Sequence, residues 1–83
     1  MRKILFVDDE PNVLDGLKRM LFPLSKEWKM AFVSSGAQAL ELMAQEPFDI
    51  VVSDVRMPGM DGAELLAQVR DRYPQTVRFV LSG

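Results

Sequence analysis

The sequence predicts an α/β fold: one open, doubly wound parallel sheet with helices on its two faces. Three observations predict it. Short apolar runs such as Ile4-Leu5-Phe6-Val7 alternate with longer stretches of helical periodicity. The run Ile50-Val51-Val52 is wholly β-branched, as suits a strand covered on both faces. Proline, glycine or capping residues punctuate the segments between. The order reads βαβαβαβ, with right-handed crossovers between parallel strands.

Each element has a local cause. Lys3 to Val7 forms the first strand. Pro11 opens a helix running to about Leu24, at a position where its missing N–H costs nothing. Val13, Leu14, Leu17, Met20, Leu21 and Leu24 follow the helical period. Trp28 to Val33 is the second strand, with Trp28 packing at its start. Ser35 and Gln38 have the spacing of a capping box and begin a helix that ends near Glu46, before Pro47. Its expected apolar face is Ala37, Leu40, Met43 and Ala44. Asp49 to Ser53 is the third strand. A loop follows from Asp54 to Gly62, built around Pro58-Gly59. Asp61 and Glu64 repeat the capping spacing and start a third helix, which runs to about Tyr73 with Leu65, Leu66, Val69 and Tyr73 on one side. Pro74 stops it, and Val77 to Leu81 is the fourth strand.

Composition excludes several chemistries. The chain has 83 residues, enough for one domain with a thin core. It contains no cysteine and no histidine, so neither a disulfide, a thiolate metal site nor an imidazole base is available. A formal net charge of −2 gives no bulk attraction to nucleic acid. The apolar run after Met1-Arg2-Lys3 is too short for a signal sequence, and no stretch approaches membrane-spanning length. A cytoplasmic domain is the expectation. The six methionines suit core and loop filling.

The chemistry lies in three aspartates. Asp8 and Asp9 follow the first apolar run, and Asp54 follows the third. In a parallel sheet the strand C-termini share one edge, where ligands bind. Three carboxylates from two segments therefore converge, and their mutual repulsion is relieved by a cation. Hard divalent ions such as Mg²⁺ take oxygen ligands from one or two carboxylates plus water and phosphate. A metal-assisted phosphate site follows. Glu10 reads as a solvated helix-start charge, and Asp61 as a helix N-cap.

An apolar strand ending in Asp8-Asp9-Glu10-Pro11, a later one ending in Asp54, and the loop Met57-Pro58-Gly59-Met60-Asp61-Gly62 form a specific combination. Over Lys3 to Gly83 the chain resembles the receiver domain of two-component response regulators, a flavodoxin-like phosphoacceptor domain. The resemblance implies strand order 2-1-3-4 and phosphorylation of Asp54 by a phosphohistidine on a sensor histidine kinase or phosphotransfer protein. It implies Mg²⁺ bound by Asp9 and Asp54, by Asp8 through water, and by the backbone carbonyl of Arg56. Ser82 becomes the switch hydroxyl that bonds the phosphoryl group, while Pro58, Gly59, Asp61 and Gly62 shape the loop. Such a domain promotes only its own phosphorylation and dephosphorylation.

Receivers continue through a fourth helix, a fifth strand ending in a lysine, and a fifth helix. Residues 1–83 correspond to the portion before these, so the expected sheet is incomplete. None of Lys3, Lys18, Lys26 and Lys29 stands at a strand's C-terminal end. The fourth strand becomes an edge, where Val77, Phe79 and Leu81 invite self-association. Two other readings stand beside this one. A receiver-like module that takes no phosphate would act by interaction or oligomerisation. A haloacid-dehalogenase-type phosphohydrolase would need two aspartates spaced by one residue, whereas Asp8 and Asp9 are adjacent.

Overall fold

The computed structural model describes residues 2–81. Four strands, β1 (Arg2–Val7), β2 (Trp28–Val33), β3 (Ile50–Asp54) and β4 (Val77–Leu81), form one sheet. Its order is β2-β1-β3-β4, with every neighbouring pair parallel. The helices are α1 (Pro11–Leu21), α2 (Gly36–Gln45) and α3 (Gly62–Arg72), and Phe22–Leu24 forms a 3₁₀ turn after α1. This is the expected flavodoxin-like topology.

Strand alternation sorts the side chains onto two faces. Leu5 and Val7 of β1 and Val51 of β3 join Ala39, Met43, Phe48, Met57, Leu65 and Val69 in one core, which α2 and α3 cover. Leu5, Val51, Leu65 and Val69 are fully buried, each contributing about 1.5–3 kcal/mol relative to exposure. The other face carries a row set by register: Phe32 opposite Phe6, Phe6 opposite Val52, Val52 opposite Phe79. The Phe6 and Phe32 rings stack with centroids 5.0 Å apart. Leu14 of α1 is buried and Lys18 Nζ lies 5.4 Å from the Phe32 centroid, so α1 covers the β1–β2 half of this row. Phe79, at the far end, is 54% exposed.

The departures from expectation have physical causes. Regular helix stops at Leu21, three residues early, because Pro23 has no N–H and its ring crowds the preceding turn. On α2, Met43 is buried and Leu40 packs against the core as expected, but Gly36 and Ala39 take the buried positions while Ala37 and Ala44 are exposed. Strand β3 begins at Ile50 rather than Asp49. The Asp49 carboxylate instead accepts from the Lys3 N–H at 2.8 Å, while Asp49 N–H donates to the Lys3 carbonyl at 2.9 Å. This exchange fixes the starts of β1 and β3 side by side. At the start of β4, the buried Thr76 hydroxyl donates to the Phe48 carbonyl at 2.8 Å.

Both predicted helix caps form. Ser35 Oγ accepts from the Gln38 N–H at 3.1 Å, although the Gln38 side chain returns to Ser34. Asp61 Oδ1 accepts from the Glu64 N–H at 2.8 Å, satisfying one of the unpaired donors at the start of α3.

Candidate phosphoacceptor and metal site

The ladder between β1 and β3 ends with Val7 beside Ser53. The next residues on each segment, Asp8 just past β1 and Asp54 at the last position of β3, stand at the same edge of the sheet. Oxygens of Asp8, Asp9 and Asp54 lie within 4.8 Å of one another. Asp8 is buried, and Asp9 and Asp54 are half-buried.

Main-chain bonds hold this corner. The Asp8 N–H donates to the Val33 carbonyl at 3.2 Å, fastening the end of β1 to the end of β2. Asp8 Oδ1 accepts from the Glu10 N–H at 2.9 Å. One oxygen of Asp8 is thus committed to the turn and the other remains for a ligand. Asp54 pairs with Leu81 as the last residue of β3, and its carbonyl accepts from the fully buried Ser53 hydroxyl at 2.9 Å.

The following loop brings α3 against the site. Gly59 has φ +76°, the left-handed region that glycine adopts without penalty. The Gly62 N–H donates to the Val55 carbonyl at 2.9 Å. A Cβ on Gly62 would stand 2.0 Å from the Asp54 carbonyl oxygen, so only glycine permits this approach. Met57 is buried in the core. The Arg56 side chain is exposed and lines a shallow depression of about 420 Å³ with Val55, Met57, Pro58 and Asp61. Asp61 is occupied as an N-cap, as its sequence position suggested.

The donor set suits a hard cation. Octahedral Mg²⁺ holds its ligands at about 2.0–2.1 Å, which places neighbouring oxygens about 3 Å apart and opposite ones about 4 Å apart. Three carboxylate oxygens within 4.8 Å meet this with small side-chain adjustments, or with water on one arm. The lysines lie elsewhere. Lys3 is the second residue of β1 and pairs with Glu46 at 3.8 Å, Lys26 precedes β2, Lys29 is the second residue of β2, and Lys18 lies over Phe32. Ser82 lies outside the described residues. No helix among the described residues is long and apolar enough to cross a membrane.

Comparison with known proteins agrees with this geometry. The profile of the response regulator receiver domain matches residues 4–83. The hydrogenase transcriptional regulatory protein HoxA of Cupriavidus necator is 41% identical over 80 residues, which cover 96% of this chain and 16% of HoxA. A signal receiver domain of an HD domain-containing protein from Pseudomonas fluorescens Pf-5 superposes with a TM-score of 0.93 at 38% identity, covering 99% of this chain and 64% of that one. TrrA of Thermotoga maritima, solved in complex with Mg²⁺ and BeF, gives a TM-score of 0.88 at 30% identity, covering 99% of this chain and 70% of that one. TrrA has also been solved in complex with the histidine kinase ThkA. The match along nearly the whole sequence, the strand order and the meeting of the three aspartates agree: this chain belongs to the response regulator receiver domain family.

Proposed function

We propose that Asp54 accepts a phosphoryl group from a phosphohistidine on a partner sensor kinase or phosphotransfer protein. An Asp54 carboxylate oxygen attacks phosphorus. The P–N bond to imidazole breaks as the new P–O bond forms, and the electron pair leaves with the imidazole nitrogen. The carboxylate is already ionised and needs no base. Asp9 and Asp54, Asp8 through water, and the Arg56 carbonyl would hold Mg²⁺, which would supply charge neutralisation for the transferring oxygens. The Glu10 N–H keeps Asp8 turned toward the site. Ser82 donates to a phosphoryl oxygen and biases the end of the fourth strand, coupling modification to shape. The chain is a cytoplasmic signalling domain rather than an enzyme acting on a separate substrate.

The convergence of three carboxylate oxygens within 4.8 Å carries this reading. The Mg²⁺–BeF and histidine kinase complexes of TrrA support it by likeness. The test is incubation with acetyl phosphate and Mg²⁺, read by intact mass and peptide mapping. One phosphoryl group on Asp54 is expected, abolished by Asp54→Asn and by chelation. Modification at another residue, or none, overturns it.

A second reading, association through β4, rests on a specific observation. Val77, Phe79, Val80 and Leu81 are each 38–54% exposed along one edge strand. The coverage of 64–70% of the solved receivers supports treating residues 1–83 as the N-terminal portion of such a domain. Antiparallel pairing of two β4 strands centred on Phe79 would set Val77 against Leu81 of the second copy and Arg78 against its Val80. Sedimentation equilibrium reads this directly, and a monomer at all concentrations removes it.

A further inference from the structure

The opposite edge of the sheet holds a feature that phosphoryl transfer does not use. A cleft of about 370 Å³ lies between α1, its 3₁₀ extension and β2, lined by Lys18, Phe22, Ser25, Trp28, Lys29, Met30 and Phe32. Its size falls within the ordinary range for ligand sites. It has a local origin: Pro23 ends α1, and the resulting 3₁₀ turn leaves Phe22 standing 72% exposed as one wall.

The charge of the lining is one-sided. Its two ionisable groups, Lys18 and Lys29, are both cationic, and neither forms an ion pair among the described residues. Lys18 is held over the Phe32 ring, which positions its ammonium at the cleft. Lys26 lies in the turn that precedes β2, with Glu27 beside Trp28 as the nearby acid in sequence. This cationic, aromatic patch sits on a chain of net charge −2. Lys29 on an edge strand discourages strand addition, so an occupant would enter by side-chain insertion.

We propose that this cleft docks an acidic peptide segment of a partner protein, with one bulky apolar side chain inserted between Phe22 and Trp28 and flanking carboxylates on Lys18 and Lys29. A peptide fits better than a small molecule because the cleft is open, with its Phe22 wall 72% exposed, whereas a small-molecule site encloses most of its ligand. Electrostatic complementarity selects acidic sequences over neutral or basic ones. The site stands apart from the aspartates, so it does not depend on phosphorylation of Asp54.

Trp28 is the only tryptophan of the chain and lines the cleft, so its emission reports occupancy. The full chain is titrated with a blocked hexapeptide, Asp-Glu-Phe-Leu-Asp-Glu, with its lysine-for-acid counterpart, and with a thymidine decanucleotide. A saturable emission change with the acidic peptide is expected, weakened by salt. The Lys18→Gln/Lys29→Gln variant, checked for retained circular dichroism, should raise its Kd about tenfold, as expected for two exposed charge pairs. Phe22→Ser should weaken binding independently of charge. No saturable change, equal binding of the basic peptide, tighter binding of the oligonucleotide, or an unchanged Kd in the double lysine variant each overturns the proposal.

Discussion

Replacing glycine by alanine at three positions tests the packing around Asp54 with one chemical change. At Gly62 the added methyl would meet the Asp54 carbonyl oxygen at 2.0 Å, and the Asp54 carbonyl carbon and Val55 Cα at 2.9 Å. All three are main-chain atoms, so no rotamer change relieves the overlap. Overpacking of a fixed neighbour costs about 1–3 kcal/mol, and this overlap lies at the upper end. Gly62 is the first residue of α3, so alanine's helix propensity recovers little. A net loss of about 2–3 kcal/mol is expected. With a urea m-value of about 1 kcal/mol/M for a domain this small, the midpoint falls by about 2–3 M, or the fold is lost. At Gly16, within α1, nothing lies within 4 Å of the added Cβ. There alanine should stabilise by about 1 kcal/mol. At Gly59, φ +76° penalises any side chain in open space, so alanine should cost about 1–2 kcal/mol. Urea unfolding followed by circular dichroism gives all three. A Gly62→Ala protein within about 0.5 kcal/mol of the parent would refute the close approach of α3 to Asp54.

Asp61→Ala removes the acceptor for the Glu64 N–H and should cost about 1 kcal/mol in the same unfolding assay. Thr76→Val keeps the side-chain shape but deletes the buried hydroxyl bond to the Phe48 carbonyl, with an expected loss of about 1 kcal/mol. Phe79→Lys places a charge in the middle of the β4 edge and should lower any concentration-dependent association seen by sedimentation, with the circular dichroism spectrum kept.

The strand order came from the resemblance to receivers, whereas the aspartate cluster was legible because it follows from where apolar runs stop. Val7 gives way to Asp8 and Ser53 to Asp54, and parallel pairing then forces these ends together. The helix caps at Ser35 and Asp61 were legible for a similar reason: a side chain bonding within its own turn needs no tertiary partner. The end of α1 was misjudged because apolar periodicity continues through Leu24, while Pro23 acts on main-chain hydrogen bonding that periodicity does not register. The exact buried face of α2 was hidden because alanines at 37, 39 and 44 look equivalent in sequence, and only packing in the core shared with Leu5 and Val7 selects Ala39. Which atoms Gly62 approaches needed coordinates, since its neighbour is the backbone eight positions earlier. The cleft at Phe22 and Trp28 also needed them, because it arises from where a proline turns the chain.

The hydrogen bonds around Asp8 have a consequence for how substitutions are tolerated. Its amide is fastened to the neighbouring strand, its carboxylate to the next turn, and Asp54 closes an adjacent strand. The spacing between the two acidic segments is therefore inherited from the interstrand repeat rather than from the shapes of surrounding side chains. Outer residues can diverge widely while the acidic cluster keeps its dimensions, so an ion entering there would call for little further ordering of the chain.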